Sequence, residues 1–344
     1  MSIITIIGAG VMGSALSFPL RENQHTVRLV GTMLDREIIE HAKKTGYHLN
    51  LQRTLPKGIV YYQLEELEQA LADVDLIVGG VSSFGVEWFA KEIIPQLPAE
   101  IPVLSVTKGM LNFPDGTLLS YPAYYEQKAP GRHFCAIGGP CTSYELADLD
   151  QTHICFCGKD IEILRKMKTI FETAYYHISL STDVEGLECA VAMKNAYALA
   201  VTLAVGLSLK SQGKIQYNSQ AALFAQSVKE MQRLLDLFGY NADNIIFGAG
   251  DLYVTIYGGR TRKIGTLLGQ GYSFEEAMKE LDGITLESVV IATRTGEAVH
   301  TLIDAGKAKK EQFPLLLHVY DLITKRAKVD IPWCDFESEL RYEP

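Results

Sequence analysis

The sequence is poor in the features that would carry a chain out of the cell, into a bilayer or onto nucleic acid. Its six cysteines (135, 141, 155, 157, 189 and 334) show no spacing suited to zinc or to a disulfide framework. They lie mostly in apolar strand-like or helical surroundings, read as reduced thiols and suit a cytoplasmic protein. No metal site is expected. Met1-Ser2-Ile3 opens directly into a strand, without a basic segment or cleavage signal, so export is not expected either. Acidic residues outnumber basic ones 41 to 32, a net charge of -9. General affinity for nucleic acid is therefore not expected, and any anion site must be a local arrangement. Internal repeats, low-complexity tracts and long linkers are all missing.

What is present is an ordinary globular composition, 47% hydrophobic and 21% charged over 344 residues, enough for two domains with separate cores. The most informative stretch lies near the middle. Between Glu188 and Lys210 the only charged residue is Lys194, set among Ala, Val and Leu. A helix apolar nearly all round is a buried helix. The run comes close to the ~20 residues a bilayer needs, but Lys194 beside Asn195 and the many alanines read against a membrane span. A lysine in such a place must be desolvated, paired or aimed into a polar cavity. That is how a catalytic lysine is made, although a lysine that snorkels its head out of a core helix reads the same way.

The N-terminal half alternates. Ile3 to Ile7 is a β-branched run followed at once by Gly8-Ala-Gly10-Val-Met-Gly13 and a helical pattern. Strand, glycine turn and helix in that order predict a dinucleotide site, with the pyrophosphate at the turn; a purely structural βα turn is the plain alternative. The second strand, 25–30, ends at Gly31-Thr32 with neither a carboxylate for ribose hydroxyls nor an arginine for a 2′-phosphate. Asp35 follows near the expected spacing, with Arg36 beside it, which tips the reading slightly toward NAD over NADP. Further strand candidates are 58–62, 74–78, 101–107, 133–137, 153–157 and 177–182, with helices at 64–71 and about 85–97. This alternation to about residue 182 predicts a doubly wound, mostly parallel sheet. Ser82, Ser83, Lys108 and Gly139-Pro140 fall at strand ends, where ligands of such sheets bind.

From 183 the texture becomes helical, with candidates at 184–211, 217–238, 244–256, 260–270, 273–281, 283–305 and 315–327. Gly258-Gly259-Arg260-Thr261-Arg262-Lys263 packs three cations at a helix start in an acidic protein. That suits a phosphate, or else is a solvated basic turn. Asp251, just after Gly248-Ala-Gly250, could orient a lysine ammonium or cap a helix. Residues 330–344 read as a docked tail without chemistry.

These stretches together resemble the NAD(P)-dependent glycerol-3-phosphate dehydrogenase family over nearly the whole chain. The resemblance rests on Gly8-Ala-Gly10-Val-Met-Gly13, Ser105-Val-Thr107-Lys108-Gly109, Gly139-Pro140 with Glu145, Ala192-Met-Lys194-Asn195-Ala-Tyr197, Asn218 to Ala222 with Glu230-Met231, Gly250-Asp251-Leu252 with Thr255, and Arg260 with Gly265. It implies an α/β chain, an N-terminal Rossmann-type doubly wound sheet at 1–182 with a C-terminal all-α substrate domain at 183–344. The implied reaction interconverts sn-glycerol 3-phosphate and dihydroxyacetone phosphate with NAD or NADP, supplying glycerophospholipid precursors. Carried over by position, Lys194 is the catalytic acid/base, with Lys108 and Asp251 as its active-site companions. Asn195, Thr255, Arg260 and Thr261 would bind the substrate. Gly8, Gly10, Val11, Met12, Gly13, Phe84, Lys108 and Arg260 would contact the cofactor. The expected partners are a small phosphorylated substrate and, by the same resemblance, a second copy in a homodimer.

This chain also departs from the family pattern. Thr261 replaces a usual Asn, Cys141-Thr142-Ser143 follows Gly139-Pro140, Gln226 stands where Arg is common, and Gly31-Thr32 lacks an Arg. These departures leave open a dehydrogenase of another polyol or sugar phosphate, or a non-catalytic NAD(H) sensor. Thiol chemistry at Cys141 is disfavoured, because no histidine adjoins it and hydride transfer does not require it.

Overall fold

The computed structural model of the protein describes residues 1–281 and 286–336. The chain forms two compact units: Met1–Gly109 with Leu119–Glu188, and Met110–Leu118 with the chain from Cys189 onward.

Twelve strands are present among the described residues: β1 Ile3–Ile7, β2 Thr26–Val30, β3 Tyr47–His48, β4 Arg53–Thr54, β5 Ile59–Tyr62, β6 Leu76–Gly79, β7 Val103–Ser105, β8 Met110–Asn112, β9 Leu118–Ser120, β10 Phe134–Gly138, β11 Thr152–Cys157 and β12 Tyr176–Ser181. Eight of them build the sheet of the first unit in the order β12-β11-β10-β7-β6-β1-β2-β5. Every pairing is parallel except β10 with β11. Parallel strands covered on both faces read as continuous apolar runs, and β1, β6 and β10 do so. From β5 to β10 the first six parallel strands follow the order 3-2-1-4-5-6 of a dinucleotide-binding sheet. The switch in direction falls between β1 and β6, so Gly8 and Gly80, just past the ends of these strands, share the crevice where such sheets bind ligands.

One helix expected as continuous, 85–97, is broken. It runs as a short α turn at Val86–Trp88, a π turn at Phe89–Ile93 and a 3-10 turn at Ile94–Gln96. Pro95 has no N–H to donate and its ring crowds the preceding turn, so the α pattern cannot pass through it.

The second unit is helical. Its axis is the part of the helix Val184–Gln212 from Cys189 onward, whose residues 196–204 are all buried and show no polar stripe, as expected for a core helix. This is the one described helix long and apolar enough to cross a membrane, and 89% of its most apolar window is buried inside the protein. Around it lie Tyr217–Phe238, Ile245–Thr255, Gly259–Gln270, Phe274–Lys279, Glu287–Asp304 and Pro314–Thr324. The start of the helix expected at 283–305, and the tail beyond 336, lie outside the described residues.

A single buried acid ties three of these helices together. Glu230 accepts hydrogen bonds from Gln226 Nε2 (2.7 Å), the Leu315 and Leu316 N–H groups (2.9 and 3.0 Å) and the Tyr197 hydroxyl (3.2 Å). It thereby satisfies two of the unpaired N–H groups that open Pro314–Thr324. Gln226, the departure from the family's usual Arg, is spent on this acid.

Burial pushes the Glu230 carboxyl up to about 7, against the pull of its four donors. Folded protein thus retains a proton that the unfolded chain has released, and the stabilisation it brings is complete below the ordinary carboxyl range and lost as pH rises through about 7. Urea melts of the wild type between pH 4.5 and 8 should show stability declining over that window by a few kcal/mol, about 1.4 per pH unit for one proton. Glu230→Gln should flatten the slope.

Candidate functional site

In the first unit the glycine turn has the form the sequence predicts. Gly8 takes a left-handed φ of +112°, and a Cβ there would lie 2.7 Å from the Gly80 carbonyl carbon and oxygen. A Cβ on Gly13 would meet the Gly8 oxygen at 2.6 Å, so neither position tolerates a side chain. Gly10 differs, since a Cβ there would meet nothing nearer than the Gly80 oxygen at 3.6 Å. It faces a cavity of about 360 Å³ lined by Gly8, Gly10, Thr32 to Asp35, Gly80 to Ser82, Phe84, Gly85 and Trp88. The lining pairs backbone polar groups with exposed apolar side chains, Leu34 (86% exposed) and Phe84 (55%). That mixture fits a dinucleotide: peptide N–H groups for the pyrophosphate and apolar surfaces for the adenine. Val11 and Met12 are half-buried on the helical turn that follows.

Asp35 has a structural task besides the one its spacing suggests. Its Oδ2 accepts from the Ala9 N–H (3.1 Å), the Thr32 N–H (2.9 Å) and the Thr32 hydroxyl (2.7 Å). This oxygen closes the loop after β2, and Arg36 is drawn into an exposed ion pair with Glu65.

Also in the first unit, Lys108 Nζ donates to the Gly139 carbonyl at 2.8 Å, which joins the loop after β7 to the loop after β10. Glu188, wholly buried, lies within electrostatic reach of Lys108. Burial, reinforced by Glu185, raises its carboxyl well above the usual range against the Lys108 charge and the Gly109 N–H. Cys141 packs against the core of the first unit.

In the helical unit, Lys194 meets Asp251 at 2.5 Å. The aspartate side chain is 1% exposed and the lysine's 15%, so the ion pair is largely out of water. The two residues come from different helices, 57 positions apart in sequence. Gly248, three residues before Asp251, brings them together: a Cβ there would lie 2.8 Å from the Ala190 carbonyl oxygen. Only glycine lets Ile245–Thr255 approach the Lys194 helix this closely.

Asn195 is buried beside Lys194 in sequence. The Thr255 hydroxyl donates to the Asp251 carbonyl at 2.7 Å, one helical turn back. Arg260 is exposed on the first turn of Gly259–Gln270, with Thr261 half-buried next to it. Of the neighbouring cations, Arg262 is occupied structurally, donating to the Ile256 carbonyl at 2.6 Å. The three cations read together from sequence therefore divide into one that ties helices and two, Arg260 and Lys263, that are exposed.

Sequence reasoning missed Met33, Leu34 and Trp88 as cavity-lining residues. Two exposed apolar residues directly after Gly31-Thr32 were the available signal for the first two.

A dinucleotide fold joined in one chain to a helical domain with its lysine held in a buried ion pair is the build of the two-domain NAD(P)-dependent dehydrogenases. The family model of the NAD-dependent glycerol-3-phosphate dehydrogenase N-terminus matches residues 3–164, and that of the C-terminus matches 183–332. Similar relatives include an NADP(+)-dependent glycerol-3-phosphate dehydrogenase of Archaeoglobus fulgidus, 32% identical over 95% of this chain and 97% of the relative. A glycerol-3-phosphate dehydrogenase [NAD(P)+] of Desulfotalea psychrophila is 29% identical over 93% of this chain and 92% of its own. Among solved structures, a glycerol-3-phosphate dehydrogenase of Coxiella burnetii shares the fold with a TM-score of 0.78, at 23% identity over 97% of both chains. The chain belongs to the NAD-dependent glycerol-3-phosphate dehydrogenase family, and NAD or NADP is its cofactor.

Removing one half of a buried ion pair leaves the other charge uncompensated. Asp251→Ala should therefore destabilise the protein by about 3 kcal/mol. Lys194→Met combined with Asp251→Leu should cost clearly less than the two single changes summed, as read from urea melts of all four proteins.

Proposed function

We propose that the protein interconverts dihydroxyacetone phosphate and sn-glycerol 3-phosphate, with residues 1–182 seating the cofactor and 183–344 the substrate. The observation that carries this reading is the Lys194–Asp251 pair, an acid held ready on a buried helix in a chain of this family. When bound, the reduced nicotinamide supplies a hydride to the ketone carbon. Lys194 supplies the proton: its charge stabilises the oxygen as it becomes an alkoxide, and its N–H is then given up to it. In the oxidative direction the same nitrogen takes the proton from the alcohol. Asp251 holds the nitrogen in place through both half-reactions. Arg260 takes the substrate phosphate, a task suited to its planar fork of donors. Lys108 acts as a second active-site lysine, and Asn195, Thr255 and Thr261 bind the substrate's oxygens. The product suits a role in supplying phospholipid backbones from the cytoplasm, by a homodimeric enzyme.

The cavity lining favours NAD. It includes one carboxylate, Asp35, and no lysine or arginine among the described residues, so a 2′-phosphate would bring charge to a place without a counter-charge. The name of the Archaeoglobus relative points the other way. A second reading, another ketose or polyol phosphate, is prompted by Thr261, whose short hydroxyl replaces the usual amide.

NADH and NADPH absorbance, followed after addition of dihydroxyacetone phosphate, should show rapid oxidation that Lys194→Ala slows by about 10²–10⁴-fold while cofactor binding persists. Near-normal turnover in that variant would remove Lys194 from the mechanism. A higher kcat/KM on another ketose phosphate would install the second reading. NADH should be preferred, and Leu34→Arg should shift the ratio toward NADPH by about tenfold, one charge-assisted contact. A preference for NADPH in the wild type would overturn the cofactor assignment.

A further inference from the structure

The short pair β3–β4 stands outside the large sheet, and the reaction described so far gives it no task. It carries one wholly buried histidine, His48. The imidazole Nδ1 accepts from the Leu51 N–H at 3.0 Å, so it bears no proton. The hydrogen is therefore on Nε2, which lies 2.9 Å from the Ala9 carbonyl and donates to it. Burial lowers the imidazole's proton affinity and maintains this neutral form.

Ala9 is thus held from two directions. Its N–H goes to Asp35 Oδ2 and its carbonyl receives His48 Nε2–H. The two groups belong to successive peptides of the glycine turn, and each trans peptide is planar with N–H and C=O opposed. Fixing the Ala9 N–H therefore aims the Gly8 carbonyl the opposite way. Indeed the Gly8 oxygen lies 2.6 Å from where a Cβ would stand on either Gly13 or Gly80. Fixing the Ala9 carbonyl in turn aims the Gly10 N–H away from His48, and Gly10 lines the cavity.

We propose that His48 and Asp35 are positioning residues for the dinucleotide, fixing the two peptide planes that flank Ala9 so that the Gly10 N–H is presented to the cofactor's pyrophosphate. The proposal rests on the cofactor being seated at this turn. A peptide free to rotate would spend binding energy on ordering itself, whereas one already locked does not. Asp35, at the spacing of a ribose-binding acid and on the cavity wall, also holds the turn through the Ala9 N–H, and β3 serves to deliver His48 to the Ala9 carbonyl.

The test measures NADH dissociation constants by fluorescence, with steady-state kinetics in parallel. His48→Phe keeps a flat ring but loses both nitrogens. It should weaken NADH binding about tenfold, the scale of one net hydrogen bond, and the loss should fall on KM for NADH more than on kcat at saturation. His48→Gln, whose side-chain amide can still donate to the Ala9 carbonyl, should recover much of that loss. A folded His48→Phe protein that binds NADH within twofold of wild type overturns the proposal. Should that variant fail to fold, imidazole ¹⁵N spectra of the wild type decide. An Nε2–H tautomer whose proton signal moves on NADH saturation supports the proposal; an Nδ1–H tautomer, or an Nε2 signal indifferent to NADH, overturns it. Wild type that binds neither NADH nor NADPH overturns the seating of the cofactor at this turn as well; wild type that binds NADPH alone overturns the NAD preference and the same comparison is read with NADPH, whereas binding indifferent to the substitution overturns this inference alone.

Discussion

A lysine on a helix that is apolar on every side needs a counter-charge from elsewhere in the chain, and most of the helical unit can be understood from that need. Lys194 finds Asp251 at 2.5 Å, in surroundings too dry for either charge to stand alone. The partner must come from a different helix, because its own helix carries no carboxylate within a turn of Lys194. Two helices must then cross closely enough for a short aspartate to reach, and Gly248 against the Ala190 carbonyl provides that approach. The sequence feature that singles out the lysine and the distant glycine at 248 belong to one arrangement.

The same logic, backbone brought close by the absence of a side chain and then held by buried polar groups, governs the nucleotide unit. Gly8, Gly13 and Gly80 let three segments meet at the ends of β1 and β6. Close approach alone does not determine which way the peptides point. Asp35 and His48 supply that orientation through the Ala9 N–H and carbonyl. Glu230 does comparable work among the helices, collecting the open N–H groups of Pro314–Thr324 together with Gln226 and Tyr197. In each case a buried polar side chain does for the tertiary structure what hydrogen bonds within an element do for a helix or strand.

Much of this was legible in the chain itself. Alternating β-branched runs and helical patterns specify the doubly wound half, because apolar periodicity follows directly from which faces are covered. The glycine spacing after β1 and the lone charge between Glu188 and Lys210 were visible for a similar reason: each violates the local pattern in a way only function or close packing explains. The break in the helix at 86–96 was less visible, although Pro95 is its cause. The pair β3–β4 escaped because two-residue strands carry no period at all.

By itself, then, the sequence determined the class of fold, the position of the glycine turn and the identity of the unusual lysine, all consequences of short-range pattern. Only the tertiary structure decided what the polar side chains are paired with. Asp35 has the spacing of a ribose ligand and is occupied by Ala9 and Thr32; Arg262 sits in a basic cluster and serves Ile256; Thr255 bonds one turn back to Asp251. Spacing along a chain says which groups a residue could reach. Which of them it meets depends on distances between elements remote in sequence, and those are set by packing.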